Sequence, residues 1–180
     1  ITLFRGFARF REYRTMEERY GLHALAIANY PMYRGVARLL GMTLHSVTAT
    51  VRDQFISLRD NFRRFDFFFL HVKGTDARGE DGNFDAKVKV IEEVDGLIPD
   101  VTALKPDVLV VTGDNSTPAV MASHSWHPVP ALLASPLCRP DGVTRFGERD
   151  CITGGLGRLP MMHLMGLALA HARRLRKFGA

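Results

Sequence analysis

Apolar residues along this chain gather in short continuous runs, separated by stretches in which they recur every three or four positions. Residues 108–111, Val-Leu-Val-Val between Pro106 and Gly113, have the pattern of a strand buried on both faces of a parallel sheet. Residues 66–72, with three adjacent phenylalanines, form a second such run and read as a central strand. Residues 129–134 give a third, and residues 44–49, which include β-branched Val47 and Thr48, are expected to form a short strand. Helical spacing links Phe55, Leu58, Phe62 and Phe65. It links Phe84, Val88, Ile91, Val94 and Ile98 as far as Pro99, with Lys87, Lys89, Glu92, Glu93 and Asp95 on the solvent side. It returns in Leu164, Leu167, Ala168 and Leu175 within residues 160–177.

Local signals sharpen these boundaries. Thr15-Met16-Glu17-Glu18 has the form of a capping box, with Glu18 reaching back to the amino end. Pro31 suits the first turn of a helix whose apolar side is Val36, Leu39 and Leu40 and which Gly41 ends. Asn83 is placed to cap the helix that follows it. Leu3 and Phe4 give residues 2–10 a strand-like start. Residues 73–83, with three glycines among acids, read as a loop, as do the Gly- and Pro-rich residues 135–157. Strands alternating with helices predict an α/β fold, in which the strands at 66–72 and 108–111 and the helix between them make a right-handed βαβ unit.

Composition narrows the class. At 180 residues and 46% hydrophobic, the chain suits one domain, or one domain and part of another. Its start at Ile1, with no signal-peptide pattern, leads us to expect an interior segment of a longer protein. No apolar run approaches the roughly 20 residues that span a bilayer, so no membrane association is expected. Cys138 and Cys151 form neither a CxxC pair nor a disulfide framework, which points to a reducing compartment, the cytoplasm by default. The net charge of +5 lies largely in residues 5–14 and 173–177, and suits nucleic acid or small anionic substrates without choosing between them. Without aromatic and basic interleaving, no nucleic-acid partner is expected. Oligomeric state is not legible.

Candidate chemistry centres on the turn after residues 108–111. Ligands of open parallel sheets bind at the carboxyl ends of strands, where Asp114 and Asn115 are expected. His124 and His127 follow closely enough to fold back over that end, giving a carboxylate and imidazole cluster suited to divalent metal. Arg34 and Arg38 share a helix face, as an oxyanion clamp or as a solvated surface. The amides of Gly154-Gly155-Leu156-Gly157 could receive phosphate, or be simple turn punctuation.

Thr112-Gly113-Asp114-Asn115-Ser116-Thr117-Pro118, Ser123-His124-Ser125-Trp126-His127-Pro128-Val129-Pro130 and His71-Val72-Lys73-Gly74-Thr75-Asp76 resemble the carboxyl-terminal half of archaeal-type cofactor-independent phosphoglycerate mutases, members of the alkaline-phosphatase superfamily. The similarity extends to Asn29-Tyr30-Pro31-Met32-Tyr33-Arg34-Gly35. It implies an incomplete parallel-sheet α/β lobe of the alkaline-phosphatase kind: residues 51–180 as the carboxyl-terminal part of a metal-binding catalytic lobe, and residues 1–50 as the remainder of a second, cap-like lobe. It implies two divalent ions, manganese or magnesium, and no 2,3-bisphosphoglycerate cofactor. Implied metal ligands are Asp76, Glu80, Asp114, His124 and Asn115, with His127 beside them. Some relatives carry His at the position of Glu80, and usually at that of Asn115, whose amide is a weaker, uncharged donor. Arg34, Lys73 and His71 are candidates for contacts with a small phosphorylated substrate. The implied reaction interconverts 3-phosphoglycerate and 2-phosphoglycerate through a phosphoserine. The attacking serine is expected upstream of this sequence, because no Asp-then-Ser opening precedes Thr15. A related metal-dependent phosphatase or phosphomutase, or a non-catalytic remnant, are the alternatives.

Overall fold

A computed structural model describes residues 13–175. The strand expected within residues 2–10, the basic residues before Tyr13, and Arg176 and Lys177 lie outside the described residues. The chain divides into two compact units, Ile1–Lys73 and Gly74–Ala180.

The first unit is built on β1, Ala24–Ala28, all five of whose residues are buried. It runs parallel to β2 (Thr43–Leu44) on one edge and to β3 (Phe67–His71) on the other. Alternating alanines give this strand little side-chain bulk. Helices α2 (Pro31–Leu39) and α3 (Val51–Asn61) pack on it, contributing buried Ala37, Phe55 and Leu58. The expected central strand is thus corrected: β3 flanks β1. The stretch expected over residues 44–49 pairs only as Thr43–Leu44. Helix α2 also turns differently from its expected face. Val36 and Leu39 are exposed and Ala37 is buried, because the inward stripe is Tyr33, Ala37 and Leu40 at four- and three-residue steps.

Caps form as their residues dictate. Helix α1 (Met16–Tyr20) has the full capping box: the Glu18 amide donates to Thr15 Oγ1 at 3.1 Å and the Thr15 amide to Glu18 Oε2 at 2.8 Å. Gly21 ends it in the left-handed region, φ 63°. Helix α3 repeats the device with Thr50 and Asp53.

In the second unit, the expected loop at residues 73–83 is instead helix α4, Gly74–Glu80. Helix α5 follows as Phe84–Ala103, with Asn83 accepting from the Ala86 amide at 3.0 Å. It continues past Pro99 because its buried residues, Leu97 and Val101, lie on both sides of the proline. The stripe expected to be inward is partly outward: Phe84 and Ile91 are exposed. Strand β4 (Leu109–Thr112) pairs with β5 (Ala131–Ala134) antiparallel, as a sheet of two. The parallel arrangement expected of these two runs is therefore corrected: they pair with each other antiparallel. Short helix α6 (Glu148–Cys151) interrupts the expected loop. The last helix, α7, is Leu164–His171, shorter than the periodicity predicted, with Arg173 at φ 56° as the Arg174 amide donates back to the Leu169 carbonyl. No helix among the described residues is long and apolar enough to cross a membrane.

Candidate metal centre

Helix α4 gives the spacing of its two acids a geometric meaning. Residues four apart on a helix share a face, with Cβ atoms roughly 5–6 Å apart, so Asp76 and Glu80 present their carboxylates together. The third member arrives from the excursion after β4. Ser116 and Ser125 form an antiparallel bridge, the Ser125 amide donating to the Ser116 carbonyl at 2.8 Å. The next residues inside that bridge are Thr117 and His124, and they meet side by side, Oγ1 to Nδ1 at 3.0 Å. A short 3-10 turn, Ala119–Met121, and Ala122 at φ 47° close the loop.

His124 Nδ1 lies 3.6 Å from Asp76 Oδ1, and its Nε2 lies 3.7 Å from Glu80 Oε1. One donor atom from each of Asp76, Glu80 and His124 falls within 4.8 Å of the other two. Donors on opposite sides of one ion, with bonds of about 2.0–2.2 Å, are about 4 Å apart, so modest side-chain adjustment closes the trio around a cation. Two carboxylates and an imidazole fit a divalent metal chemically, with the carboxylates favouring harder ions. Asp76 is the sheltered member, its side chain 17% exposed, while Glu80 and His124 are near half. The centre is therefore open to a ligand.

Two neighbours fix this arrangement. Thr117 is buried, and its hydroxyl donates to Asp76 Oδ1 at 2.6 Å. Its carbonyl accepts from Lys87 Nζ on α5. Lys87 is accordingly half-buried, which corrects its assignment to the solvent side. Gly79, on α4, lies against the same threonine: a Cβ there would collide with the Thr117 carbonyl oxygen and stand 2.9 Å from its Cγ2 and 3.0 Å from Lys87 Nζ. Only a residue without a side chain permits α4 to approach so closely.

Asp114 and Asn115 stand outside the trio, exposed on the turn after β4, where the Asn115 amide donates to Asp114 Oδ1 at 3.0 Å. His127 accepts from or donates to the Ser125 hydroxyl at 2.9 Å and stacks on exposed Trp126. The Gly155 amide, a candidate for phosphate, already donates to Asp141 Oδ2 at 2.6 Å. That bond and the one from the Val143 amide hold the Asp141 carboxyl below the usual carboxylate range.

In the first unit, Arg34 Nη1 donates to the carbonyls of Ala28, at 2.9 Å, and His45, at 2.7 Å. These carbonyls stand at the carboxyl ends of parallel strands β1 and β2, so the guanidinium ties the two ends together. A cavity of about 320 Å³ opens there, lined by Arg34, Arg38, Asn29, Leu44 and Val47 among others. Among the described residues, neither arginine makes an ion pair with a carboxylate. The Asn29 amide pins the adjoining loop by donating to the Thr48 carbonyl at 2.9 Å. His71 lies with its ring 4.0 Å from that of Tyr33, and Lys73 Nζ stands 4.9 Å over the Tyr30 ring.

Thr117 and Lys87 were not legible as site residues. The available signal was Thr117-Pro118: a residue before proline is held extended, which suits a strand-like bridge whose side chain turns inward.

Known proteins resemble this chain in sequence and in fold. The model of the "Metalloenzyme superfamily" matches residues 4–171. A protein of Thermotoga neapolitana named "Probable 2,3-bisphosphoglycerate-independent phosphoglycerate mutase" is 52% identical over 180 residues, covering 100% of this chain and 45% of that protein. One of the same name from a strain of Thermus thermophilus is 50% identical over 181 residues, covering 99% of this chain and 45% of its own length. The chain thus spans less than half the length of these curated relatives. Among solved structures, a Pyrococcus horikoshii protein superposes with a TM-score of 0.87 at 30% identity, over 93% of this chain and 54% of that one. The cofactor-independent phosphoglycerate mutase of Thermoplasma acidophilum shares the fold, with a TM-score of 0.72 at 23% identity, over 89% of this chain and 39% of that one.

Proposed function

The chain belongs to the metalloenzyme superfamily, and on that premise we propose that the protein carrying it is a phosphoglycerate mutase that needs no 2,3-bisphosphoglycerate. It would interconvert 3-phosphoglycerate and 2-phosphoglycerate, as the names of its relatives indicate for them. The observation that carries this reading is the convergence of Asp76, Glu80 and His124. These three would hold a divalent ion, manganese or magnesium. Asp114 and Asn115 are assigned to a second ion, with the amide of Asn115 as its weakest donor. Bound there, such ions supply Lewis-acid stabilisation of a transferring phosphoryl group.

The chain's own residues account for other parts of the task. Arg34 commits Nη1 to two carbonyls and retains further N–H groups, so it offers a fixed donor face to an anion, with Arg38 one helical turn away. Their cavity is our candidate seat for the substrate phosphate or carboxylate, with His71 and Lys73 as further candidates. Phosphoryl transfer through a phosphoserine needs an activated hydroxyl. The hydroxyl of Ser116 is directed at the Pro128 carbonyl, 3.4 Å away, so we assign that role to a serine outside this chain. Two free cysteines suit a cytoplasmic setting.

The test is a coupled mutase assay of the complete protein without bisphosphoglycerate, with manganese, with magnesium and with chelator. Expected are turnover with metal, loss with chelator, and at least a hundredfold fall in Glu80→Ala. Turnover insensitive to chelation would defeat the metal reading. Release of inorganic phosphate in place of 2-phosphoglycerate would make the protein a phosphatase.

A further inference from the structure

We propose that Thr117 is a positioning residue that sets the tautomer of His124, so that Nε2 is the atom offered to a metal ion. The inference rests on the reading of Asp76, Glu80 and His124 as a metal centre and adds a hydroxyl to it.

The argument is a count of protons. A threonine hydroxyl has one hydrogen to donate and two lone pairs that accept, whereas an ionised carboxylate only accepts. Thr117 Oγ1 lies 2.6 Å from Asp76 Oδ1, so its hydrogen is committed to the carboxylate. The contact of 3.0 Å between Oγ1 and His124 Nδ1 then requires the imidazole to be the donor. In neutral His124 the ring hydrogen therefore sits on Nδ1, and Nε2 carries the lone pair. Nε2 is the nitrogen that faces Glu80, at 3.7 Å. Proton direction runs one way, from His124 through Thr117 to Asp76, and two members of the trio are oriented by one hydroxyl.

The hydroxyl is held in place from three sides. The residue is 4% exposed, its carbonyl is fixed by Lys87, and Gly79 leaves no room for it to shift toward α4. The bridge between Ser116 and Ser125 keeps Thr117 and His124 abreast. A metal-bound imidazole whose other nitrogen donates to a fixed acceptor is the usual arrangement, and losing such a partner typically weakens metal binding about 10–100-fold.

The experiment compares wild type, Thr117→Val, Thr117→Ser and Asp76→Ala in the complete protein, after circular dichroism confirms folding. Mn2+ affinity is read from the free-ion paramagnetic resonance signal. The ring tautomer of His124 is read from 15N–1H correlations in the Zn2+-loaded form. Thr117→Val should bind Mn2+ about 10–100-fold more weakly and lose the pattern of a protonated Nδ1. Thr117→Ser, which keeps the hydroxyl, should stay within about threefold of wild type. Should Asp76→Ala bind Mn2+ as wild type does, the metal centre itself is wrong. Should Asp76→Ala lose binding while Thr117→Val keeps it, or Thr117→Ser fail equally with Thr117→Val, the metal centre stands and the role of the hydroxyl is refuted.

Discussion

Replacing Gly79 with alanine separates close packing from ordinary helix preference. Alanine within a helix is favoured over glycine by up to about 1 kcal/mol. At Gly79 that gain meets a collision with the Thr117 carbonyl, and overpacking costs about 1–3 kcal/mol. Relief of the collision moves Thr117 away from Lys87, and a hydrogen bond to a charged group contributes about 1.5–3 kcal/mol. The net expectation is a loss of roughly 2 kcal/mol or more. Gly96 is the control: it lies in α5, is exposed, and a Cβ there meets nothing within 4 Å, so Gly96→Ala should stabilise by about 0.5–1 kcal/mol. Urea unfolding of the complete protein and both variants, followed by far-ultraviolet dichroism, measures the split. Mn2+ titration should show weaker binding only in Gly79→Ala, since α4 carries both acids. Equal midpoints for the two variants would refute the claim that α4 is seated against Thr117.

Arg34→Met removes the donor shared by the Ala28 and His45 carbonyls, so a loss of about 2 kcal/mol is expected from these part-buried acceptors; an unchanged melting temperature would show that water replaces it. Thr50→Ala should cost about 1 kcal/mol through the cap of α3 and Thr50→Ser much less, as urea midpoints will show. Asp141 has a folded pKa below its ordinary 3.8, so its contribution is fully present above 3.8 and is lost as pH falls through the lower folded value. The stability difference between wild type and Asp141→Ala should accordingly be constant at neutral pH and shrink below about pH 4; a difference that grows with acid would reverse the sign of this argument.

Elements governed by neighbouring residues were legible in the sequence, and those governed by distant partners were not. The capping boxes at Thr15 and Thr50 involve residues three apart, and the first could be read directly. Strand β1 escaped because alanine has little strand preference; its strand character comes from β2 and β3 on either side and helices that need a thin layer beneath them. Residues 108–111 and 129–134 declared themselves as strands, but an apolar run carries no information on the direction of its partner, and they pair antiparallel. Helix α4 was hidden by glycines at positions 74 and 79, the second kept for contact with Thr117. At the candidate site, Asp76 and Glu80 were singled out only by the family resemblance, because a stretch read as a loop gives four-residue spacing no geometric meaning, and the same resemblance set His124 apart from His127. Thr117 was not, because a buried hydroxyl acquires meaning only when a carboxylate 41 residues away in sequence lies beside it.

The bridge that brings His124 to Asp76 also places Trp126, the chain's single tryptophan, two residues beyond that histidine. Its indole is 83% exposed and stacks on His127 with ring centroids 5.0 Å apart. This position makes it a natural optical reporter. Paramagnetic Mn2+ held by the neighbouring trio would quench its emission, whereas diamagnetic Mg2+ would leave the intensity nearly unchanged. The difference between wild-type and Trp126→Phe emission would therefore register occupation of the centre by Mn2+, and its displacement by added Mg2+, in real time and without a substrate.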